Sequence, residues 1–114
     1  MALCYTLPVY KDTYKLLLKI FEYTKDFSRE YKYTLGQDMK KDALKLMRSI
    51  YRANKSFEKK DHLEEFLDNF EILKLELRLS VDMKILSIKK QSELAFLMEE
   101  IGKQIVGWRN STLK

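Results

Sequence analysis

The chain has 114 residues, with 22 Lys and Arg against 17 Asp and Glu, a formal net charge of +5 and a pI near 9.2. That length gives one domain and no room for two, and one Pro with three Gly excludes collagen-like, linker-like and turn-rich β architectures. An apolar fraction of 46% beside 34% charged residues excludes simple disorder, while a single Cys (Cys4) and a single His (His62) exclude a disulfide framework and leave little for metal chemistry.

The apolar periodicity gives four helices and no convincing strand. The first is predicted from Pro8 to Arg29, because Pro suits a first helical turn and Tyr10, Tyr14, Leu17, Leu18 and Phe21 follow one buried stripe. The second is predicted from Leu35 to Ala53. Thr34 with Gln37 has the form of a capping box, and Met39, Ala43, Met47 and Ile50, widened by Leu46, form the inner stripe. The third runs from Phe57 to Val81, with Leu63, Phe66, Leu67, Phe70, Leu73, Leu77 and Val81 on one face. The fourth runs from Ser87, a candidate N-cap, to Arg109, with Leu94, Leu97, Met98, Ile101, Ile105 and Trp108 in helical register. The links centre on Lys32, Lys55 and Lys84 to Leu86. Links this short make consecutive helices antiparallel neighbours, so the fold class is all-α, an up-down-up-down four-helix bundle spanning residues 1–114.

Charge is unevenly placed. Residues 58–82 hold eight acids and four bases, a net of −4, and the rest of the chain carries a net of +9. On the second helix Lys41, Lys45, Arg48, Arg52 and Lys55 are spaced 4, 3, 4 and 3, which puts them on one face away from the apolar stripe. Like charges at such spacing repel by a few tenths of a kcal/mol per pair. Three readings follow: a nucleic-acid interface, a surface for an acidic protein, or a plain solvated face.

Tyr23, Phe27, Tyr31 and Tyr33 alternate with Lys25, Arg29 and Lys32 around the first link. Rings beside cations stack on exposed bases, or else cap the end of the bundle. Gly102 and Gly107 lie inside the fourth helix and permit close approach to another helix or another subunit; Gly107 also suits a helix end. Trp108 is an anchor for the core or for a subunit interface. No catalytic, cofactor or metal constellation is found. His62 has no second His or Cys beside it, and the neighbours Glu64/Glu65 and Glu99/Glu100 point to different faces. The expected location is cytoplasmic, from a free thiol, no export signal and no apolar run near the roughly 20 residues of a membrane span.

Four segments carry a family resemblance: Tyr33-Thr34-Leu35-Gly36-Gln37, Arg48-Ser49-Ile50-Tyr51-Arg52-Ala53-Asn54, Leu86-Ser87-Ile88-Lys89-Lys90 and Glu100-Ile101-Gly102-Lys103-Gln104-Ile105-Val106-Gly107-Trp108. In that order they resemble the accessory variability determinants (Avd) of diversity-generating retroelements. They are also similar to the related four-helix proteins of intervening sequences in bacterial 23S ribosomal RNA genes. The resemblance implies a non-enzymatic antiparallel four-helix bundle that assembles as a homopentamer, without a cofactor. It implies two partners, the element's reverse transcriptase and its template RNA, and a role in mutagenic reverse transcription. Lys41, Lys45, Arg48 and Arg52 are where such a protein would present positive charge. The ribosomal relatives imply instead a structural or protein-interaction module.

Overall fold

The computed structural model describes residues 3–113. Four long helices, α1 (Pro8–Thr24), α3 (Leu35–Lys55), α4 (Lys60–Asp82) and α5 (Ile88–Ser111), are joined by short links. A 3-10 turn (Cys4–Thr6) precedes α1, and a single-turn helix α2 (Arg29–Lys32) sits between α1 and α3. No strand occurs among the described residues. Helix α3 packs on α1 and α4, and α5 packs on the same two, so α1 and α4 face each other across the diagonal of an all-α four-helix bundle. The bundle measures 45 × 21 × 21 Å.

The core forms where apolar residues of all four helices point at the common axis. Leu16 and Ile20 from α1, Leu46 and Ile50 from α3, Phe66 and Phe70 from α4, and Leu94, Ile101 and Ile105 from α5 are completely or almost completely buried. Phe66 and Phe70 pack with ring centroids 5.4 Å apart. Burying a side chain of this size contributes about 1.5–3 kcal/mol.

The predicted inner stripes of the last three helices face the core, with Met47, Leu67, Val81, Leu97 and Trp108 at its half-buried edge. The first helix is rotated by one residue, about 100°, from the predicted register, so that Tyr10 and Leu17 only edge the core. Its inner face is Val9, Thr13, Leu16, Ile20, Tyr23 and Thr24, and the predicted stripe leaves Tyr14, Leu18 and Phe21 exposed. Thr24 loses little by burial, because its hydroxyl donates to the Ile20 carbonyl at 2.7 Å, whereas the Thr13 hydroxyl is buried with no hydrogen-bond partner among the described residues.

Helix ends show where local chemistry overrides the apolar pattern. Helix α1 stops at Thr24 rather than Arg29, and Phe27 folds back into the core after it. The expected capping box at Thr34 does not form. The Thr34 hydroxyl instead donates to the Glu30 carbonyl at 2.9 Å, satisfying the end of α2. Ser87 does cap α5, accepting from the Lys90 N–H at 3.2 Å. Lys59 ends α3 from outside: its ammonium donates to the carbonyls of Ala53, Asn54 and Ser56 at 2.8, 3.2 and 2.9 Å. A cation there also meets the negative end of the helix dipole. The extended Ser56 and the demands on Lys59 delay α4 to Lys60, and Phe57 is left almost wholly in solvent.

One polar pair is sealed between α3 and α4. Asp42 and Glu76 are both buried, and one oxygen of Glu76 has no hydrogen-bond partner among the described residues. Burial, a hydrogen bond from the shared proton to Asp42 and the nearby charges of Asp42 and Asp38 push the Glu76 carboxyl up to about 8, opposed by Lys45. At neutral pH Glu76 is therefore mostly protonated, beside the Asp42 carboxyl that Lys45 approaches at 3.6 Å.

Two stability experiments follow. A Cβ at Gly36 would come within 3.2 Å of the Tyr31 carbonyl and 3.3 Å of the Phe27 ring, whereas a Cβ at Gly107 would meet nothing within 4 Å. Gly36→Ala is expected to lower the urea midpoint and Gly107→Ala to raise stability by up to about 1 kcal/mol. For Glu76, an unfolded carboxyl near 4.5 and a folded one near 8 mean that the native state binds the extra proton between those values. Stability should fall as pH climbs through that window and level off above it. Glu76→Gln keeps a donor for Asp42 and removes the titration. It is expected to flatten the dependence and to unfold at a higher urea concentration than wild type at about pH 9, while differing little at about pH 5.

Candidate nucleic-acid interface

Helix α3 turns about 100° per residue, so steps of 4, 3, 4 and 3 hold five side chains within one narrow sector. The structure places Lys41, Lys45, Arg48, Arg52 and Lys55 there, and all five are exposed. Met39, Ala43, Leu46, Ile50 and Ala53 occupy the opposite, buried face. The row is about 21 Å long at 1.5 Å per residue. Lys45 is held by Asp42 at 3.6 Å, and Lys55 lies 4.8 Å above the Tyr51 ring. Lys41, Arg48 and Arg52 make no ion pair within 4.0 Å among the described residues. A solvated face of this length normally alternates sign; here one buried carboxylate answers one of five cations.

The acidic side chains sit elsewhere. Asp61, Glu65, Asp68 and Glu71 of α4 are exposed. Ile72, Leu75 and Leu79 continue the outer side of that helix as an exposed apolar strip. The uneven charge of the sequence is therefore a real separation between the outer faces of α3 and α4.

The aromatic residues around the first link are not a stacking platform. Tyr23 and Phe27 are buried and Tyr31 is half-buried, leaving Tyr33 exposed. The Tyr23 hydroxyl donates to Glu93 at 2.7 Å, and Lys90 and Lys19 lie 5.0 and 5.7 Å from its ring centre. The hydrogen bond to Glu93, then burial and the charges of Glu93 and Glu22, push this phenol up to about 12, so it stays neutral. These rings close the end of the bundle.

A different aromatic group flanks the cations. The 3-10 turn lays Leu3, Cys4 and Tyr5 against the last turns of α3, and together with Tyr10 of α1 they enclose a cleft of about 590 Å³. Its α3 wall is Met47, Arg48, Tyr51, Asn54 and Lys55. Two members of the basic row thus share a recess with three tyrosines. The signal was present in the sequence: Tyr51 lies three residues after Arg48 and four before Lys55, the spacing of surface neighbours. Tyr5 carried no such signal, because only the turn brings it there. Burial pushes the Cys4 thiol up, which keeps it protonated and unreactive.

The fourth long helix, α5, packs at the core edge and also lines a groove of about 580 Å³ with α4, between Lys74 and Arg78 on one side and Gln91, Ala95 and Glu99 on the other. Trp108 packs at the edge of the core, and Arg109 reaches Glu64 of α4 at 3.6 Å. Gly102 lies beside the Phe70 ring, while Gly107 faces open space. Among the described residues no three His, Cys, Asp or Glu side chains converge in a way that could hold a metal. No helix among them is long and apolar enough to cross a membrane.

A comparison with curated proteins returns no match. The family model described as bAvd-like matches residues 8–112, which takes in all four long helices, the α3 cation row and the closing Gly102 to Trp108 segment. Four-helix architecture, the order of its signature segments and this match over nearly the whole chain agree, and the protein belongs to the bAvd-like family.

Proposed function

We propose that the protein is a non-enzymatic, cytoplasmic accessory factor of a diversity-generating retroelement. It binds template RNA and the reverse transcriptase and so supports mutagenic copying. The observation that carries the reading is the row Lys41, Lys45, Arg48, Arg52 and Lys55, exposed along α3 and almost unanswered by its own subunit. Phosphates satisfy such a row and release counterions as they do so. Membership of the bAvd-like family supplies the retroelement context.

A homopentameric ring completes the mechanism. Exposed apolar residues stand on two diagonal helices: Tyr14, Leu18 and Phe21 on α1, and Ile72, Leu75 and Leu79 on α4. Two unlike surfaces on opposite corners favour a head-to-tail contact, which closes into a ring when the rotation allows. Contact through α1 and α4 leaves the α3 corner free and repeats its cations around the axis. Repetition multiplies a weak local attraction into strong avidity.

Replacing Lys41, Lys45, Arg48 and Arg52 together by Gln is expected to weaken RNA binding strongly and to flatten the dependence of log affinity on log salt by about four. The helical circular dichroism should persist, since all four side chains are exposed. Unchanged affinity and slope would remove the row from the site. Sedimentation at physiological salt is expected to give an assembly near five times the 13.7 kDa chain mass; monomers alone refute the ring. A reverse-transcriptase gene and a template repeat beside this gene would agree with the retroelement role. An insertion within a ribosomal RNA gene would favour a protein-interaction module instead.

A further inference from the structure

We infer that the cleft between the 3-10 turn and α3 binds an unstacked base, which makes a single strand rather than a duplex the preferred form of the RNA. This rests on the electrostatic reading above and names the ligand that the same face selects.

Tyr5 and Tyr51 are each more than half exposed, at 61% and 53%, although a Tyr ring is large and mostly apolar. Tyr10 is half-buried beside them, so the recess offers rings rather than a polar trough. Its volume of about 590 Å³ falls in the range of small-molecule sites, about 300–1,000 Å³. Arg48 and Lys55 stand in its wall and belong to the row that runs on to Lys41.

Those two chemistries lie side by side in only one common ligand class. Phosphates lie along the cations while a base enters the recess, as in single-strand binding by other folds. A duplex meets only half of this arrangement. Its phosphates reach the row, but its bases are stacked inside and cannot enter a side pocket. An acidic peptide without aromatic side chains also meets only half, because carboxylates bring no flat ring for Tyr5 and Tyr51. Lys55 lies 4.8 Å from the centre of the Tyr51 ring, so a base that stacks there displaces its ammonium toward the phosphates. Ring stacking reads no particular sequence, so the selection is for strandedness.

The test compares an oligouridylate of about 12 nucleotides with an RNA duplex of the same length. The readout is fluorescence anisotropy across a salt series. Wild type is expected to prefer the single strand. The double variant Tyr5→Leu, Tyr51→Leu is expected to lose about tenfold or more in single-strand affinity, with duplex affinity and both salt slopes unchanged. Tyr51→Phe keeps the ring and should bind as wild type does. Equal losses for both RNAs, or no loss for either, overturn the inference while leaving the cation row in place. Failure of wild type to bind either RNA overturns both readings. Photocrosslinking of bromouridine-substituted oligouridylate to unaltered protein gives an answer independent of variant folding. Crosslinks at Tyr5, Tyr10 or Tyr51 agree with the cleft, and crosslinks confined to other surfaces overturn it.

Discussion

Among the long helices α3 touches two, α1 and α4, and must therefore be apolar through most of its inner half. That constraint organises the rest of the molecule. With Met39, Ala43, Leu46, Ile50 and Ala53 committed to the core, every charged residue on the helix is confined to what remains. Confinement alone would allow mixed signs. Instead, Asp42 is drawn inward at the α3–α4 seam, where it serves Glu76 and lends one oxygen to Lys45. The outer surface is left with the five-cation row and one exposed acid, Asp38, in the first turn. Sealing an acid inside and leaving the bases outside makes one helix both a packing element and a positive rail.

The same arrangement explains how the structure tolerates mutual repulsion along that rail. Successive cations stand one turn apart at the surface, where water screens each pair to a few tenths of a kcal/mol. Buried apolar side chains on the other side of the helix outweigh the sum several times over. The last turn is held further by Lys59, whose three hydrogen bonds tie the carbonyl end of α3 to the start of the next link. That end is also where the aromatic cleft opens. The most firmly capped part of α3 is thus the part that presents Arg48, Tyr51 and Lys55.

Much of this was legible in the sequence, for identifiable reasons. The helices α3, α4 and α5 declare themselves because large apolar residues recur at helical spacing over many turns, even though α4 carries a second apolar strip, Ile72, Leu75 and Leu79, on its outer side. The cation row is equally plain, since surface position follows from register once the inner face is known. Helix α1 misled because it carries two stripes. Tyr10, Tyr14, Leu17 and Phe21 lie one residue on from Val9, Thr13, Leu16 and Ile20, and both rows keep the helical period. The structure buries the second row and with it Tyr23 and Thr24; the Thr24 hydroxyl is satisfied on its own helix, whereas that of Thr13 has no hydrogen-bond partner among the described residues. The Asp42–Glu76 pair was hidden for a related reason: they are 34 positions apart, and nothing local marks a carboxyl that keeps its proton. The cleft was half visible. Tyr51 could be placed by its spacing, whereas Tyr5 needed the fold.

The rotation of α1 leaves Tyr14, Leu18 and Phe21 outside the core. With those rings turned outward, α1 carries a strip that solvent disfavours and that Lys40 only partly shelters, 5.6 Å from the Phe21 ring centre. The diagonal helix α4 carries another such strip beside a row of acids. A monomer gains nothing from either. Two non-identical surfaces on opposite corners are what the proposed cyclic assembly requires, and their placement spares the corner that carries the cation row. In that proposal assembly and anion binding use different helices, so a ring would close without covering the cations that it multiplies.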